Sequence, residues 1–283
     1  MSQASVNGTI RESIVAGIFY PEDPTELASA VDRALGSAPG TRTDALAILS
    51  PHAGFDYSGM VQGAAWKAAS GRKPGRVVIL APRHRSGDPA VYLPESAVFR
   101  TPLGDLATDR EFCAELESCG TVFETDDIPH LEEHAIEVQL PFMKRLFPEA
   151  RLAPLIVAGA EPAVVASLAM ALDLVLSHDP VETLVVASSN LASSLAAAEA
   201  ARKSDALLAC LAGGDWREMA RLCRLFEQGA CGAATIAVPL AMKSLDGASR
   251  ELLMRVDSLR NRESNAERIV HYAAAAWYPA AEA

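Results

Sequence analysis

Short apolar runs that end abruptly in loops alternate with helix-compatible segments along this chain. Residues 46–49, 76–80 and 183–187 are rich in Leu, Ile, Val and Ala, which is typical of strands buried on both faces of a parallel sheet. Pro51 and Gly54 close the first run, and a helix-compatible stretch at about residues 60–69 follows. This alternation predicts an α/β protein, with a mostly parallel central sheet in one layer and helices in a layer on each face.

The rest of the pattern predicts further elements and one irregular strand. A strand is expected at residues 152–157, in which Pro154 indicates an edge position or irregular pairing. Other strands are expected at residues 92–99 and 251–256, and residues 269–277 fit either a strand or a helix. Helical spacing marks residues 24–35, 109–118, 133–146, 162–176, 195–211, 216–226 and 232–242. Residues 126–133 are acidic and expected to be exposed, and residues 1–13 to be frayed or lightly docked.

Composition narrows the classes of protein to be considered. A chain of 283 residues can bury a sizeable core, so a single domain over residues 1–283 is the economical interpretation. The net charge of −11 argues against a nucleic-acid groove, because phosphate binding needs clustered Lys and Arg. No apolar run reaches the ~20 residues that span a bilayer, and residues 1–10 lack a basic-then-apolar leader. Five cysteines without metal-type pairs favour a reducing compartment, so a cytoplasmic location is expected.

Two histidines stand at equivalent positions after apolar runs. His52 follows the run 46–49, and His84 lies four residues past the run 76–80. The third run leads into the polar residues Ser188, Ser189 and Asn190. Ligands of open α/β sheets bind outside the carboxyl ends of the strands. If the three strands are parallel neighbours, their loops converge on one site.

Five segments, in order, resemble the motifs of the Memo family, also called protein B of the AmmeMemoRadiSam system. They are AGIFYPEDP at 16–24, PHAGFDYSG at 51–59, LAPRH at 80–84, EHAIEVQLPF at 133–142 and ACG at 230–232. The resemblance covers about residues 14 to 278. It implies a fold similar to that of the LigB-type extradiol ring-cleaving dioxygenases, and metal ligands at His52, His84 and Cys231.

Two imidazoles and one thiolate would form an open metal site. Imidazole suits iron, copper and zinc, and a thiolate favours softer or later metals. The expected cofactor is iron or copper, with zinc as an alternative in purified protein. LigB-type enzymes use a carboxylate where this chain has Cys231. Each residue alone fits a plainer role, a histidine that caps a loop or a small buried thiol, but their coincidence at three motif positions favours a shared site.

Two further polar residues, His134 and Glu137, are candidates for catalysis. They are three positions apart and share a face if the segment is helical. They would then hydrogen-bond substrate or orient a metal ligand, or they form a polar cluster at a helix N-terminus. Residues 130–134 also fit the H-x-x-E-H pattern of inverted zinc peptidases. The family motif uses His134 and not His130, which disfavours a peptidase.

The chain departs from the family pattern at two places. The family segment after the third strand resembles Ser-Ser-Asp-Phe-Cys-His, whereas residues 188–193 read Ser-Ser-Asn-Leu-Ala-Ser. Ser193 therefore replaces the acid/base histidine of the dioxygenases and Asn190 the aspartate, and a serine cannot titrate near neutral pH. Arg83 replaces a small residue. Arg83 and Arg85 flank His84 and would bind a carboxylate or phosphate through their guanidinium groups. Alternatively, both are solvated surface charges.

These residues lead to three functional hypotheses. The first is a divergent Memo-like metal-binding protein with a redox-active non-haem iron or copper site. The second is an active LigB-type dioxygenase or another metal-dependent enzyme. The third is a metal-free pocket for an anionic small molecule. Tyr57, Arg83, Asn190 and Ser193 are the candidate pocket residues. The expected partner is a small molecule, anionic or aromatic, with no nucleic acid or membrane, and a homo-oligomer stays open.

Overall fold

The computed structural model describes residues 9–226, 231–260 and 268–280. The helices are α1 (Pro24–Gly36), α2 (Phe55–Lys67), α3 (Arg110–Ser118), α4 (Asp127–Glu132), α5 (Leu140–Leu146), α6 (Pro162–His178), α7 (Ala197–Gly213), α8 (Trp216–Phe226) and α9 (Ala233–Ala241). The strands are β1 (Ile10–Arg11), β2 (Ala47–Ser50), β3 (Arg76–Pro82), β4 (Ala90–Leu93), β5 (Val98–Thr101), β6 (Gly104–Ala107), β7 (Phe123–Thr125), β8 (Arg151–Ala158), β9 (Thr183–Ser188), β10 (Ser193–Ser194), β11 (Ser249–Asp257) and β12 (Ile269–Tyr278).

One large sheet forms the centre of the molecule. Its strand order is β10-β12-β2-β9-β3-β8-β4-β7, with β11 also paired to β12. The central strands β2, β9, β3 and β8 are parallel to one another. At the two sides of this block, β12 runs antiparallel to β2 and β4 runs antiparallel to β8. The predicted α/β fold with a central sheet and helices on both faces is confirmed, and the parallel part is its middle.

The two faces of this sheet carry separate halves of the core. Successive residues of a strand point to opposite faces, and β2 shows the consequence. Leu49 joins the buried cluster that includes α3, α6, α7, α8 and α9. Ile48 joins the cluster that includes α1, α2, α5 and the small sheet β1-β5-β6. Burial on both faces explains why the central strands are continuous apolar runs. No helix in the described ranges is long and apolar enough to cross a membrane.

The helix expected over residues 133–146 forms only in its second half, as a 3₁₀ turn and α5, and the predicted start is wrong because the backbone is extended at Glu133. α4 ends there, and Glu133 has an extended backbone with φ −102° and ψ 128°. Its carboxylate accepts a hydrogen bond from the Ala135 amide at 2.8 Å, a local bond that competes with helix formation. Helical structure resumes only with a 3₁₀ turn at Glu137–Gln139. His134 and Glu137 therefore do not share an α-helical face.

Other sequence expectations differ from the structure in detail. The acidic stretch 126–133 is not wholly exposed, because it contains α4 and buries His130 and Glu133. The strand expected at residues 92–99 is two strands, β4 and β5, in different sheets. β1 pairs with β5 and buries Arg11, in the part of the chain expected to be frayed or lightly docked. Residues 1–8 lie outside the described ranges.

Two expectations that the sequence left open, the type of element at residues 269–277 and the position of the strand with Pro154, are decided by the structure, and the edge position for Pro154 is wrong. Residues 269–277 form strand β12 and not a helix. β8 lies between β3 and β4, but Pro154 is beyond the residues that pair with β4. Its missing amide hydrogen therefore costs no hydrogen bond on that side.

Candidate metal centre

The parallel centre of the sheet brings the two histidine loops together. β9 lies between β2 and β3, so the three strand ends stand side by side at the carboxyl edge of the sheet. His52 follows β2, His84 follows β3, and Ser188 is the last residue of β9. The register pairs Ser50 with Ser188, so Ser188 lies next to the loop that carries His52.

Cys231 reaches the same edge from the start of α9. The adjacent Gly232 lies so close to β9 that a Cβ atom there would be 2.6 Å from the Ser189 Cα atom. Such a contact with backbone cannot be relieved by a side-chain movement. Glycine at this position therefore lets the α9 loop approach the strand ends and places the Cys231 thiol beside the histidines.

The three side chains form a compact donor group. The His52 Nε2 atom is 3.3 Å from the Cys231 Sγ atom, and the ligand atoms of His52, His84 and Cys231 all lie within 4.8 Å of one another. His52 is only 1% exposed, whereas 33% of the His84 side chain is exposed and Cys231 is half-buried. The group is open to solvent on the side of His84 and Cys231.

Ser188 sets the tautomer of His52. The Ser188 hydroxyl donates its hydrogen to the Ala135 carbonyl at 2.7 Å. It must therefore accept from the His52 Nδ1 atom, 3.2 Å away, and from the Gln139 amide nitrogen at 3.1 Å. With the proton on Nδ1, the Nε2 lone pair of His52 faces Cys231. This is the form of imidazole that a metal ion binds.

Glu133 does the same for His84. The His84 Nδ1 atom is 3.0 Å from both carboxylate oxygens of Glu133, and the His84 backbone amide donates to the same carboxylate at 3.0 Å. The proton is therefore on Nδ1, and Nε2 is left for the side of Cys231. A carboxylate behind a histidine is the usual means of orienting and polarising a metal-binding imidazole.

Burial and the neighbouring charges set the protonation states of these groups. Burial, with His84 and His134 nearby, lowers the pKa of His52, so this imidazole is neutral. Burial disfavours ionisation of Glu133, but the hydrogen bond and charge of His84, together with His134 and the Ala135 amide, outweigh burial and lower the pKa of Glu133 to about 2. Burial likewise disfavours the charged form of His84, whereas hydrogen bonds with Cys231 and Glu133 raise its pKa to about 10. Metal binding at His84 would therefore release a proton.

Comparison with known proteins agrees with the motif resemblance. A family model described as "Memo-like protein" matches residues 11–276. The chain belongs to the Memo family. A MEMO1 family protein of Ignicoccus hospitalis is 29% identical over 279 residues, which are 94% of this chain and 97% of that protein. Relatives of the same name in Aeropyrum pernix and Aquifex aeolicus are 30% and 28% identical and cover 88% and 93% of this chain, and 93% and 97% of their own lengths.

In this Memo-family chain, His134 lies beside the candidate ligands. Its ring stacks on His84, with centroids 4.9 Å apart at 20°, and its Nδ1 atom is 3.3 Å from the Glu133 carboxylate. Burial lowers the pKa of His134. A neutral, partly exposed imidazole next to the donor group has the chemistry of a general acid or base.

Glu137, the other candidate catalytic residue, has its hydrogen-bond partners in another part of the chain. It is fully buried and forms an ion pair with Arg11. It also accepts hydrogen bonds from the Ile14 and Val15 amides and from the Tyr20 hydroxyl at 2.6 Å. These partners all belong to the first part of the described chain, so Glu137 anchors that segment.

His130 also stands apart from the centre. Its Nε2 atom is 3.1 Å from the Tyr92 carbonyl, and its ring contacts Phe99 edge-on. Burial lowers its pKa to about 4. The H-x-x-E-H pattern therefore does not assemble a peptidase-type site, although its last two residues, Glu133 and His134, both lie at the centre.

The candidate pocket residues are distributed around the centre. Asn190 accepts a hydrogen bond from the His52 amide at 3.1 Å. Tyr57, 38% exposed, lines a cavity of about 480 Å³ between the start of α2 and the end of β11. The Arg83 guanidinium lies over the Tyr92 ring at 4.8 Å. Ser193 is in β10, where Arg268 donates to it at 3.5 Å. Among these four, the described contacts connect only Asn190 directly to a candidate ligand.

Sequence reasoning missed the two residues that orient the histidines. Glu133 is part of the H-x-x-E-H pattern and opens the motif at 133–142, but neither pattern indicates that its carboxylate contacts His84. Ser188 was visible as the end of the third apolar run, without a sign that it faces His52. The position of β9 between β2 and β3 supplies that information, since it determines which strand end lies behind His52.

Proposed function

We propose that this protein binds a transition-metal ion through His52, His84 and Cys231. The carrying observation is that both histidines have their Nδ1 protons held by buried acceptors, Ser188 and Glu133, which leaves the Nε2 atom of each ring as its metal-binding atom, at His84 after loss of a proton, in a donor group that includes one thiol. A histidine that only caps a loop has no need for such an arrangement. The donor set fits a metal by its chemistry, its spacing and its second layer of hydrogen bonds.

The kind of metal follows from the donors. Two neutral imidazoles and a thiolate favour copper, iron or zinc over magnesium or calcium, which prefer oxygen ligands. We propose iron or copper as the working metal, with zinc as a substitute in purified protein. Three protein ligands leave a coordination position on the exposed side for a small molecule. A bound iron or copper would supply one-electron redox chemistry there, and we keep a cytoplasmic location as part of the proposal.

The other two hypotheses fit the contacts less well. A ring-cleaving dioxygenase resembling the LigB type needs an acid/base group beside the metal, and Ser193 cannot supply one; His134 is the remaining candidate. A metal-free anion pocket would use Arg83 and Arg85. Arg83 stacks on Tyr92 and Arg85 pairs with Glu132 at 3.1 Å, so both charges already have partners.

Elemental analysis tests the proposal. The protein is purified without a histidine tag under reducing conditions, then stripped and reloaded anaerobically with Fe(II), Cu(I) or Zn(II). We expect stoichiometric metal in the wild type and a large loss in Cys231→Ser and His84→Ala. The matched control is Cys210→Ser, since Cys210 is a buried thiol on α7. Metal content at background in the wild type, or content unchanged in Cys231→Ser, would overturn the proposal.

A further inference from the structure

Arg11 connects the first strand of the chain to the segment that carries Glu133. It is 1% exposed, and β1 holds its backbone against β5. Its Nε atom donates to the His130 carbonyl at 3.0 Å, and its Nη2 atom donates to the Glu133 carbonyl at 2.9 Å. The remaining nitrogen, Nη1, pairs with the Glu137 carboxylate. One guanidinium thus contacts three points within residues 130–137.

The contacts of Arg11 are with backbone carbonyl groups at the C-terminal end of α4. α4 is short and ends at Glu132, so its last carbonyl groups have no amide partners within the helix. A cation at a helix C-terminus satisfies such carbonyls and interacts favourably with the helix dipole. The planar fork of arginine supplies several donors in a fixed geometry, which the single ammonium group of lysine cannot reproduce.

Glu133 is held at both ends. Its backbone carbonyl is bound by Arg11, and its carboxylate is bound by the Nδ1 atom and the backbone amide of His84. The backbone position of Glu133 therefore determines where its carboxylate meets His84. Displacement of that backbone by a few tenths of an ångström would lengthen the bond that orients the His84 ring.

We propose that Arg11 is a positioning residue of the metal centre, which acts on His84 through Glu133. The inference rests on the proposed metal-binding function and names a further determinant of metal affinity, on a strand remote in sequence from the three ligands. Arg11 touches none of the ligands, so its effect must pass through the backbone at residues 130–133.

The structure offers a matched control in Tyr20. The Tyr20 hydroxyl donates to Glu137 at 2.6 Å, so Tyr20→Phe removes a buried hydrogen bond from the same ionic cluster. It leaves the bonds from Arg11 to the His130 and Glu133 carbonyls in place. Arg11→Lys keeps a positive charge for Glu137 but loses the fork on these two carbonyls. A purely structural role predicts that both variants have the same effect on the metal centre.

The experiment measures metal affinity and spectrum in the full chain, with Co(II) as the probe. Loss of a residue that orients a ligand typically lowers metal affinity about 10- to 100-fold. We expect a decrease of about tenfold in Arg11→Lys, with a change in the thiolate-to-cobalt absorption, and wild-type values in Tyr20→Phe. Glu133→Gln should produce a similar decrease. The double variant Arg11→Lys with Glu133→Gln should bind Co(II) no more weakly than the single variant that has the lower affinity, because both substitutions act through one bond.

The outcomes separate the two proposals. Absence of Co(II) binding in the wild type would overturn the metal-binding function itself. Binding in the wild type with undiminished affinity in Arg11→Lys, or additive losses in the double variant, would overturn only the role of Arg11. If Arg11→Lys does not fold, the double variant Arg11→Gln with Glu137→Gln, which removes both charges of the buried pair together, is measured against the single variant Tyr20→Phe under the same criteria.

Discussion

Replacing Ser188 with alanine is the sharpest test of how His52 is held. Ser188 is fully buried and its hydroxyl takes part in three hydrogen bonds, with Ala135, Gln139 and His52. The Gln139 amide nitrogen also donates to the Pro51 carbonyl at 2.8 Å, so it keeps a partner in the variant. The substitution therefore leaves two buried groups unpaired, the His52 Nδ1 hydrogen and the Ala135 carbonyl.

The magnitude follows from these two groups. An unpaired buried donor or acceptor costs about 1–3 kcal/mol, so the free energy of unfolding should fall by roughly 2–6 kcal/mol. The tautomer of His52 is then no longer fixed, and metal affinity should fall about 10- to 100-fold. Denaturant unfolding of the metal-free protein measures the first effect, and competition with a chelator measures the second.

Ser204→Ala is the control of the same chemistry. Ser204 is also fully buried, but its hydroxyl has no hydrogen-bond partner among the described residues. Removal of an unpaired hydroxyl should be neutral or stabilising, and it should leave metal affinity unchanged. Equal stability losses in Ser188→Ala and Ser204→Ala, or wild-type metal affinity in Ser188→Ala, would refute the reasoning about His52.

The remaining predictions concern reactivity. Removal of the metal with chelator should make Cys231 the thiol most readily alkylated and oxidised. Cys113 should stay unreactive at pH 8, because burial and the nearby Asp109 raise its pKa to about 12. Equal labelling of Cys231 and Cys113, measured by mass spectrometry, would contradict this prediction. The protein loaded anaerobically with Fe(II) should not cleave catechols at a typical enzyme rate, since the acid/base help lost with Ser193 is commonly worth ~10²- to 10⁴-fold. Oxygen uptake with catechols and protocatechuate at ~1 s⁻¹ or faster would be the opposite result. Without activity, partial rescue by Ser193→His with Asn190→Asp would support the argument.

The interruption of helical structure at Glu133 shows how a bond to a distant segment can override a sequence pattern. Apolar spacing over residues 133–146 fits a helix, although Pro141 favours a helix start at its own position, where α5 begins. Nothing in the propensities of residues 133–136 excludes helix there. The Glu133 carboxylate is fixed by His84, which lies just after β3 and 49 positions earlier in the chain. The bond to His84 stabilises an extended backbone at Glu133. The helix prediction was therefore wrong at a residue that orients a candidate metal ligand.

The amino-acid sequence by itself determined the fold class, the family and the loops that carry His52 and His84. Apolar runs identify buried strands because each strand loses water on both faces, and the residues after those runs must lie at the edge of the sheet. It left open the partners of those loops, since adjacency in a sheet depends on strand order. Only the tertiary structure placed β9 behind His52, aimed the Glu133 carboxylate at His84 and brought Arg11 under residues 130–133. These are contacts between segments far apart in the chain, and their energies come from buried hydrogen bonds that no local pattern records.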